Sequence, residues 1–587
     1  MKFKTIVIPT LLIAVGVSLA YFVPRSTAND ITESVLTPSN IGTTVRYTED
    51  RFALAPLTWQ TIVNNSFSMP NSDRTYSSYG QPSVNSNGMV VFRARSTGSG
   101  QRMTGIYSRQ FPKGPVREVA DLSTFVPYPN NLETMFQEFS AIPRIAANSD
   151  YIATRGNHKP VYKYLLPDGT ETRTGTTGIY VQFNGGLLFN GTSKIGLAPG
   201  FENHAVPNTD PLVAFDVYPG APAITDNGTI AFKGNFTIDG VGKTGIFYRE
   251  LISAPGGGKT SVEMVASSDT EIPNAPPSYR LMSFGSTAPP SVSGDQLVFV
   301  GLDNEENPNY GGIYLAPISP SPKLRTLVGV GEPLPGTKFD ALTRIGEGLA
   351  FDGRYVAFWG AWSYEMKTVR LFCPEDGNAD IIAYCNGVDP NSIFDAESGR
   401  WYQDKQVNVD QGIFIFDIYA NHAYLVSHTN GDFNDFMFWG YSGRPPGVGS
   451  ETEEVAEEDG EEPPRWRSAA FIAASDGMVV FKARTGAQTP QGEYISPIDG
   501  IYMRNALAPS PIQVLVETGM NSDVLDPSIP GGVLPIIGVG IERDGFRGNK
   551  LAITASMADS ENGWGGIYMT NINRGPAVGL FDVKTAR

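Results

Sequence analysis

The sequence predicts an all-β fold, a seven-bladed β-propeller built from four-stranded antiparallel blades. Two short motifs each return seven times along the 587 residues, and repeated units of this kind are typical of propellers and solenoids. The chain also contains 64 glycines and 44 prolines, and only 18% of its residues are charged. That composition favours many turns and disfavours long helices.

The first motif is a turn followed by a short apolar run that ends in phenylalanine. Its clearest copy is Asn85-Ser-Asn-Gly88-Met-Val-Val-Phe92. The Asn-Gly turn predicts the start of a strand. Further copies end at Phe232, Phe299, Phe358 and Phe481, and weaker copies occupy residues 150–154 and 548–553.

The second motif is glycine, isoleucine and an aromatic residue. In four units its isoleucine lies fourteen residues after the end of the first motif, as Ile106 does after Phe92. Each unit therefore contains a β-hairpin with a polar loop. The seven copies begin at Gly105, Gly178, Gly245, Gly312, Gly412, Gly500 and Gly566.

Two further runs supply the remaining strands of each unit. An apolar pair such as Val119-Ala120 predicts the outermost strand, and a short segment before each turn predicts the innermost one. Ile62-Val63 repeats the outermost pattern before the first unit, so an N-terminal strand is expected to complete the seventh blade and close the ring. Residues 578–583 are the alternative closing strand.

These patterns place the propeller at residues 58–570, after a linker at 29–57 and before a C-terminal tail at 571–587. Insertions are predicted at 359–411 and 430–468, both on the face opposite the Asn-Gly turns. Loops on a rigid scaffold often carry recognition, so a ligand is expected on this loop-rich face. Alternatively, the loops on this face differ in length only because nothing constrains them.

The N-terminus predicts export. Basic Met1-Lys2-Phe3-Lys4 precedes an apolar stretch that ends in the small residues Ser26-Thr27-Ala28, the pattern of a signal peptide. The stretch is also long enough to remain as a membrane anchor. Residues 1–28 are therefore a signal peptide or an anchor, and the protein is expected in the periplasm, on the cell surface or outside the cell. In such a compartment Cys373 and Cys385 favour a disulfide over a metal site.

The charge distribution excludes one class of partner. Net charge is −16, whereas nucleic-acid binding needs a basic excess. Residues 451–462 carry eight acidic side chains, a run that favours a solvated loop over a site for a basic partner.

One metal site is predicted, for calcium. Asp376, Asn378 and Asp380 have the alternating spacing that turns side-chain oxygens toward a hard cation. The EF-hand pattern is incomplete, because Ile381 stands where glycine is required. Solvated turns are the alternative interpretation. Similar oxygen-rich stretches lie at 303–307, 430–435 and 559–562.

No catalytic or cofactor-binding residue is predicted, because the sequence contains no nucleophile, phosphate-loop or dinucleotide motif and its four histidines are scattered. Aromatic residues in and after the insertions could stack on sugars or anchor a protein partner. Packing of the insertion onto its blade is the alternative. These residues are Trp359, Trp362, Tyr364, Trp401, Tyr402, Phe436, Phe438, Trp439 and Tyr441.

The repeat resembles the NxxGxxAF tandem-repeat family of exported bacterial proteins, whose members differ in their surface anchors. Asn85, Gly88 and Phe92 match its pattern, and Ala231-Phe232 and Ala357-Phe358 keep its second half. The resemblance implies export and a repeated β fold, with no activity to carry over. We expect a binding module for an unknown protein or glycan, or alternatively a hydrolase or lyase acting on extracellular polysaccharide.

Overall fold

The computed structural model describes residues 53–96, 103–252, 260–276, 282–337, 341–375, 378–443, 463–508 and 510–572. The predicted signal segment, the acidic run and residues 578–583 therefore lie outside the described residues. Within the described ranges, none of the helices is long and apolar enough to cross a membrane.

The strands form successive sheets, here called blades 1 to 7. Two strands come first, β1 (Ala53–Leu54) and β2 (Gln60–Asn64). Blade 1 holds β3 (Tyr76–Tyr79), β4 (Ser83–Val84), β5 (Met89–Ser96), β6 (Thr104–Gln110) and β7 (Val116–Asp121). Blade 2 follows with β8 (Phe136–Glu138), β9 (Arg144–Ile145), β10 (Tyr151–His158), the hairpin β11 (Tyr162–Leu165) and β12 (Glu171–Thr174), β13 (Thr177–Phe183) and β14 (Leu188–Ser193). Blade 3 holds β15 (Phe215–Val217), β16 (Ala223–Ile224), β17 (Thr229–Ile238), β18 (Val241–Glu250) and β19 (Glu263–Ser267).

Blade 4 holds β20 (Ser286–Thr287), β21 (Ser291–Ser293), β22 (Gln296–Leu302), β23 (Gly311–Pro317) and β24 (Arg325–Gly329). Blade 5 holds β25 (Arg344–Ile345), β26 (Ala350–Phe351), β27 (Tyr355–Ala361), β31 (Gln411–Asp417) and β32 (His422–His428), interrupted by β28 (Met366–Phe372), α1 (Ala379–Cys385), β29 (Ile393–Asp395) and β30 (Arg400–Asn408). A hairpin of β33 (Phe438–Ser442) and β34 (Arg465–Ala469) precedes blade 6, which holds β35 (Ile472–Ser475), β36 (Met478–Gln488), β37 (Tyr494–Asn505) and β38 (Gln513–Glu517). Blade 7 holds β39 (Ile536–Gly540), β40 (Phe546–Arg547), β41 (Lys550–Ala558) and β42 (Gly563–Asn571), and 3-10 turns occupy Glu202–His204 and Ser522–Val524.

Six of the blades share one antiparallel pattern that differs from the predicted one in its innermost strand. The first-motif strand pairs with two short inner pieces, as β5 does with β3 and β4. The break between the pieces contains proline or glycine, which end strand pairing. In blade 6 the hairpin of β33 and β34 is inserted at this break, between Asp435, which bridges to Arg484, and β35. The described part of the second insertion therefore interrupts the innermost strand of blade 6.

The blades close into a ring. The inner pieces β4, β9, β16, β21, β26, β35 and β40 contact one another in that order, and β40 returns to β4. The predicted N-terminal strand β2 pairs antiparallel with β42 and completes blade 7. The all-β propeller class is thereby confirmed. Residues 53–54, which the sequence assigns to a linker, add β1 to the outer edge of blade 6.

The hydrophobic core lies between successive blades. Each apolar cluster combines buried side chains from two neighbouring sheets, and one of them joins blade 7 to blade 1 through Ile62, Val63, Tyr76 and Ile567. Each interface therefore stabilises two blades at once, and the N-terminal strand contributes to the interface that closes the ring.

The glycine of the second motif is required by space. In every blade it pairs with a glycine or alanine of the neighbouring strand, as Gly105 does with Ala94 and Gly178 does with Gly156. A Cβ atom on Gly566 would lie 2.6 Å from the Tyr568 hydroxyl and 2.7 Å from the carbonyl oxygen of Val63. In five of the seven copies the aromatic residue of the motif folds back over its own glycine, and in the other two the glycine meets a neighbouring strand, so close packing explains the glycine.

The turn of the first motif joins neighbouring blades on the face opposite the insertions. Gly88 has φ of +85°, a conformation that favours glycine. Asn85 accepts a hydrogen bond from the Met89 amide at 2.8 Å and donates one to Asp150 of blade 2 at 2.9 Å. Asp226 of blade 3 similarly accepts hydrogen bonds from the amides of Asn148 and Ser149 in the turn of blade 2. The motif residues of these turns therefore support the ring.

Candidate ligand-binding face

The loop-rich face carries a small added sheet. Strands β28, β29 and β30 pair with one another, and α1 is attached by the Cys373–Cys385 disulfide. We call residues 366–408 the insertion module. It contacts blade 6 through Tyr441, which donates a hydrogen bond to Asp389 at 2.6 Å, and through Lys367, which donates to the Asn434 carbonyl at 2.6 Å.

The predicted calcium ligands begin α1. Asp376 lies outside the described residues. The side-chain oxygen of Asn378 caps the helix by accepting from the amides of Asp380, at 2.8 Å, and Ile381, at 3.2 Å. Asp380 is exposed in the first helical turn, where a carboxylate favours the helix dipole.

Two of the other oxygen-rich stretches form local turns, whereas the stretch 430–435 bonds to Asp410, Gly486 and Tyr494. Asp303 accepts from the amides of Asn304 and Asn309, and Asp559 accepts from those of Glu561 and Asn562. No group of three or more histidine, cysteine, aspartate or glutamate side chains within the described ranges is arranged to hold a metal ion. Calcium binding stays a prediction.

Most of the aromatic candidates pack against protein. Trp359, Phe436 and Phe438 are buried. On the insertion module, the Arg370 guanidinium lies 3.8 Å from the ring centre of Tyr402. This cation–π contact covers one face of the ring. Tyr364, 87% exposed, is the clear exception.

A basic cleft lies between blades 1 and 2 on the loop-rich face. Its volume is about 230 Å³, and Arg93, Arg95, Thr104, Gln137, Glu138 and Phe139 line it. Arg93 donates a hydrogen bond to the Phe139 carbonyl at 2.7 Å, which fixes its guanidinium at the blade boundary. Burial lowers the pKa of Arg93, but its ordinary value is so high that the group stays charged at neutral pH. We call this space the arginine cleft.

A second cleft lies on the other side of blade 1, against blade 7. It measures about 290 Å³. Trp564 is held there by a hydrogen bond to Asp526 at 3.1 Å, and Gly538 leaves open space, since a Cβ on it would meet only the Ser556 side chain at 3.9 Å. We call it the hydroxyl cleft, because its lining is mostly polar and uncharged: Ser77, Ser78, Tyr79, Gln81, Gly538, Val539, Gly540, Thr554, Ala555, Ser556, Trp564 and Gly565.

The sequence reasoning did not identify these clefts. Arg93 directly follows Phe92 of the first motif, and Arg155, Lys233 and Lys482 occupy the same position in other blades. Arg155 also bonds to the next blade, donating to the Tyr218 carbonyl at 2.7 Å. Comparison of the repeats at this one position would have shown the recurring positive charge.

Carboxylates are few at these sites. Glu138 is the one acidic residue among the side chains that line the two clefts. Glu347 is exposed in the break between β25 and β26, and the surrounding protein raises its pKa by reducing its hydration, opposed by Lys233 and reinforced by Glu305. Glycosidases generally place two carboxyl groups across the scissile bond, and neither cleft offers such a pair within its described lining.

Comparison with known proteins yields structural likeness alone. No family model and no curated protein matches the sequence. The β-propeller domain of the Trilobed protease from Pyrococcus furiosus is similar with a TM-score of 0.33 and 9% identity, over 82% of this chain and 92% of that one. Trypanosoma rangeli sialidase in complex with 2,3-difluorosialic acid is similar with a TM-score of 0.31 and 12% identity, over 77% of this chain and 59% of that one. Neither likeness transfers a substrate or an activity.

Proposed function

We propose that the protein is an exported binding module that holds an acidic oligosaccharide on its loop-rich face, across blade 1. The observation that carries the proposal is the pair of clefts on either side of that blade. Hydroxyl, amide and aromatic groups in the hydroxyl cleft suit a sugar ring. Arg93 and Arg95 in the arginine cleft suit its carboxylate.

The charge of the whole molecule supports this ligand class. A protein of net charge −16 repels polyanions in general, so two arginines in one cleft provide local attraction. One ligand reaching both clefts gains from each of them, because the second contact is intramolecular.

Titration calorimetry with oligogalacturonates, alginate oligomers and their neutral counterparts tests the proposal. We expect acidic oligomers to bind, with an affinity that falls as salt is raised. Arg95→Gln and Gly538→Leu should each weaken binding at least several-fold, since the first removes a charge and the second fills the hydroxyl cleft. Arg173→Gln is the matched control, because Arg173 is an exposed cation of blade 2 outside both clefts. Equal binding of neutral oligomers, no binding of any acidic oligomer, or an equal effect of the control would overturn the proposal.

We propose cleavage of extracellular polysaccharide as a second candidate function, supported by the exposed position of Glu347 in the break between β25 and β26 together with its raised pKa. It predicts that acidic polysaccharide is shortened on incubation and that Glu347→Gln abolishes the shortening. If the polysaccharide keeps its length after incubation with the native protein, the cleavage proposal is contradicted and only the binding proposal stands.

Calcium at Asp376, Asn378 and Asp380 is a separate proposal, supported by the spacing of their oxygens. A calcium site predicts a higher melting temperature with calcium than with chelator, and Asp380→Asn should remove the difference. Identical melting in both conditions contradicts it.

A further inference from the structure

A charged loop of blade 7 occupies the centre of the ring. Residues 541–547, here the axial loop, connect β39 to β40 and include the latter. The Val84 amide of blade 1 donates to the Asp544 carbonyl at 2.8 Å. Arg547 donates to the Phe351 carbonyl of blade 5 at 2.8 Å, and Arg543 donates to the Pro289 carbonyl of blade 4 at 3.1 Å. The axial loop of blade 7 is therefore hydrogen-bonded to blades 1, 4 and 5 at the centre of the ring.

The buried charges of this centre do not balance. Arg144, Arg543 and Arg547 are 4%, 6% and 8% exposed. Among the described residues they face two carboxylates, those of Glu542 and Asp544. Arg144 lies 2.7 Å from Glu542 and 3.2 Å from Asp544, and Arg547 pairs with Asp544. Three guanidinium groups against two carboxylates leave one positive charge in excess.

The excess charge belongs to Arg543. Among the described residues its guanidinium bonds only to the backbone carbonyls of Pro289, at 3.1 Å, and Ala221, at 3.5 Å. Burial and repulsion from Arg144 and Arg547, opposed by attraction from Asp544 and Glu542, lower its pKa to about 10, so it remains charged at neutral pH. Neither carboxylate accepts a hydrogen bond from this guanidinium, and a buried charge that lacks a directly bonded counter-charge is unfavourable in general.

Donors for a counter-ion are present as well. In the described part of the chain, the Nε–H groups of Arg144, Arg543 and Arg547 are buried and meet no hydrogen-bond acceptor. Buried donors of native proteins are normally paired with protein, water or an ion. Water would satisfy these donors but would leave the excess charge in place.

We propose that the axial arginine cluster binds a small monovalent anion of the chloride type beside Arg543. The ion would neutralise the one unmatched guanidinium and accept hydrogen bonds from donors that the protein leaves open. All three arginines of the cluster are buried, which favours a halide-sized ion over a larger phosphate ester or sugar acid. The ion would also stabilise the ring, because the same arginines bond to several blades.

Two measurements on the full chain test this site. Thermal melting at constant ionic strength should show a melting temperature that rises and saturates as isethionate, a larger anion without a sugar carboxylate, is replaced by chloride or bromide. Crystals grown in bromide should show an anomalous peak within hydrogen-bonding distance of the Arg543 guanidinium. Halide-independent melting, or crystals with bromide at surface positions only and water or nothing at Arg543, would overturn the proposal.

Variants assign the effect to the cluster. Arg543→Met should remove the halide dependence. Arg249→Met is the matched control, because Arg249 is also a buried arginine bonded to backbone carbonyls, those of Gly191 at 2.6 Å and Thr260 at 2.9 Å. It lies on the outer part of blade 3, so its loss should lower stability and keep the halide dependence. Halide dependence lost equally in both variants contradicts the assignment. The bromide crystals decide the question if Arg543→Met does not fold.

Discussion

Single residues of the repeat are fixed by contacts that a larger or charged side chain would break. Gly566 lies against Tyr568 and the N-terminal strand, whereas Gly563, three residues earlier in the same strand β42, has open space around its Cβ position. The two glycines therefore separate the effect of lost space from the effect of removing glycine.

Gly566→Ala should lower the free energy of unfolding by about 1–3 kcal/mol, the usual cost of overpacking. Gly563→Ala should change it by less than about 0.5 kcal/mol. Urea denaturation of both variants beside the native protein measures the difference. Equal stabilities of the two variants would mean that the glycine of the motif is not there for space.

His158 connects stability to pH. It is 4% exposed, its Nε2 lies 2.5 Å from the Tyr180 hydroxyl and its Nδ1 lies 2.9 Å from the Lys159 carbonyl. Burial lowers the pKa of His158 to about 4, against about 6.5 in the unfolded chain. Between these pH values the unfolded chain binds a proton that the native protein does not, so stability falls as pH falls.

This loss should reach about 3 kcal/mol once the pH approaches 4. His158→Gln removes the titrating group, so its stability should fall less than that of the native protein between pH 7.5 and pH 4.5. Urea denaturation at both pH values provides the test. The same fall in the variant would show that other groups carry the acid sensitivity.

At the scale of elements, the sequence predicted the strands that carry motifs and missed those that do not. Phe92, Gly105 and their counterparts in other blades are fixed by packing, so they mark the strands to which they belong. The innermost strand of most blades consists of two short pieces, and the first piece, such as β8 or β15, is only three residues long. Such a piece is too short to show a pattern of alternating side chains. The hydroxyl cleft and the axial cluster were missed because they depend on ring closure, which brings blade 7 beside blade 1 and Arg144 beside Glu542 and Asp544.

The insertion module is expected to be a separate element attached to the ring. The disulfide ties α1 to the end of β28 across a sequence separation of 12 residues, and closing such a loop restricts the unfolded module. In the double variant Cys373→Ser, Cys385→Ser, amide exchange should accelerate within residues 366–408. The main thermal transition should stay in place, because the apolar clusters between blades do not include either cysteine. A main transition that moves with the module would show that the two unfold together.

The whole molecule depends on one strand from the N-terminus. Ile62 and Val63, 1% and 0% exposed, pack between blades 7 and 1, and full burial of such a side chain contributes about 1.5–3 kcal/mol. Without β2, the edge of β42 and this interface would face solvent, and an open edge favours association.

Removal of residues 1–64 should therefore lower the melting temperature and produce oligomers, whereas removal of residues 1–52 should preserve both the melting temperature and the monomer-to-oligomer ratio of the full chain. Calorimetry and size-exclusion chromatography measure the two properties. A protein lacking residues 1–64 that melts like its longer counterpart would contradict closure by β2.

The ring also determines where the proposed ligand would bind, because closure between blades 7 and 1 forms the hydroxyl cleft on one side of blade 1, with the arginine cleft on the other. Hydrogen exchange of the full chain, with and without the acidic oligosaccharide that binds most tightly, tests this account most directly. We predict simultaneous protection of residues 77–81, 93–95, 137–139 and 538–540. Protection confined to the insertion module, or to one side of blade 1, would contradict a single site across that blade.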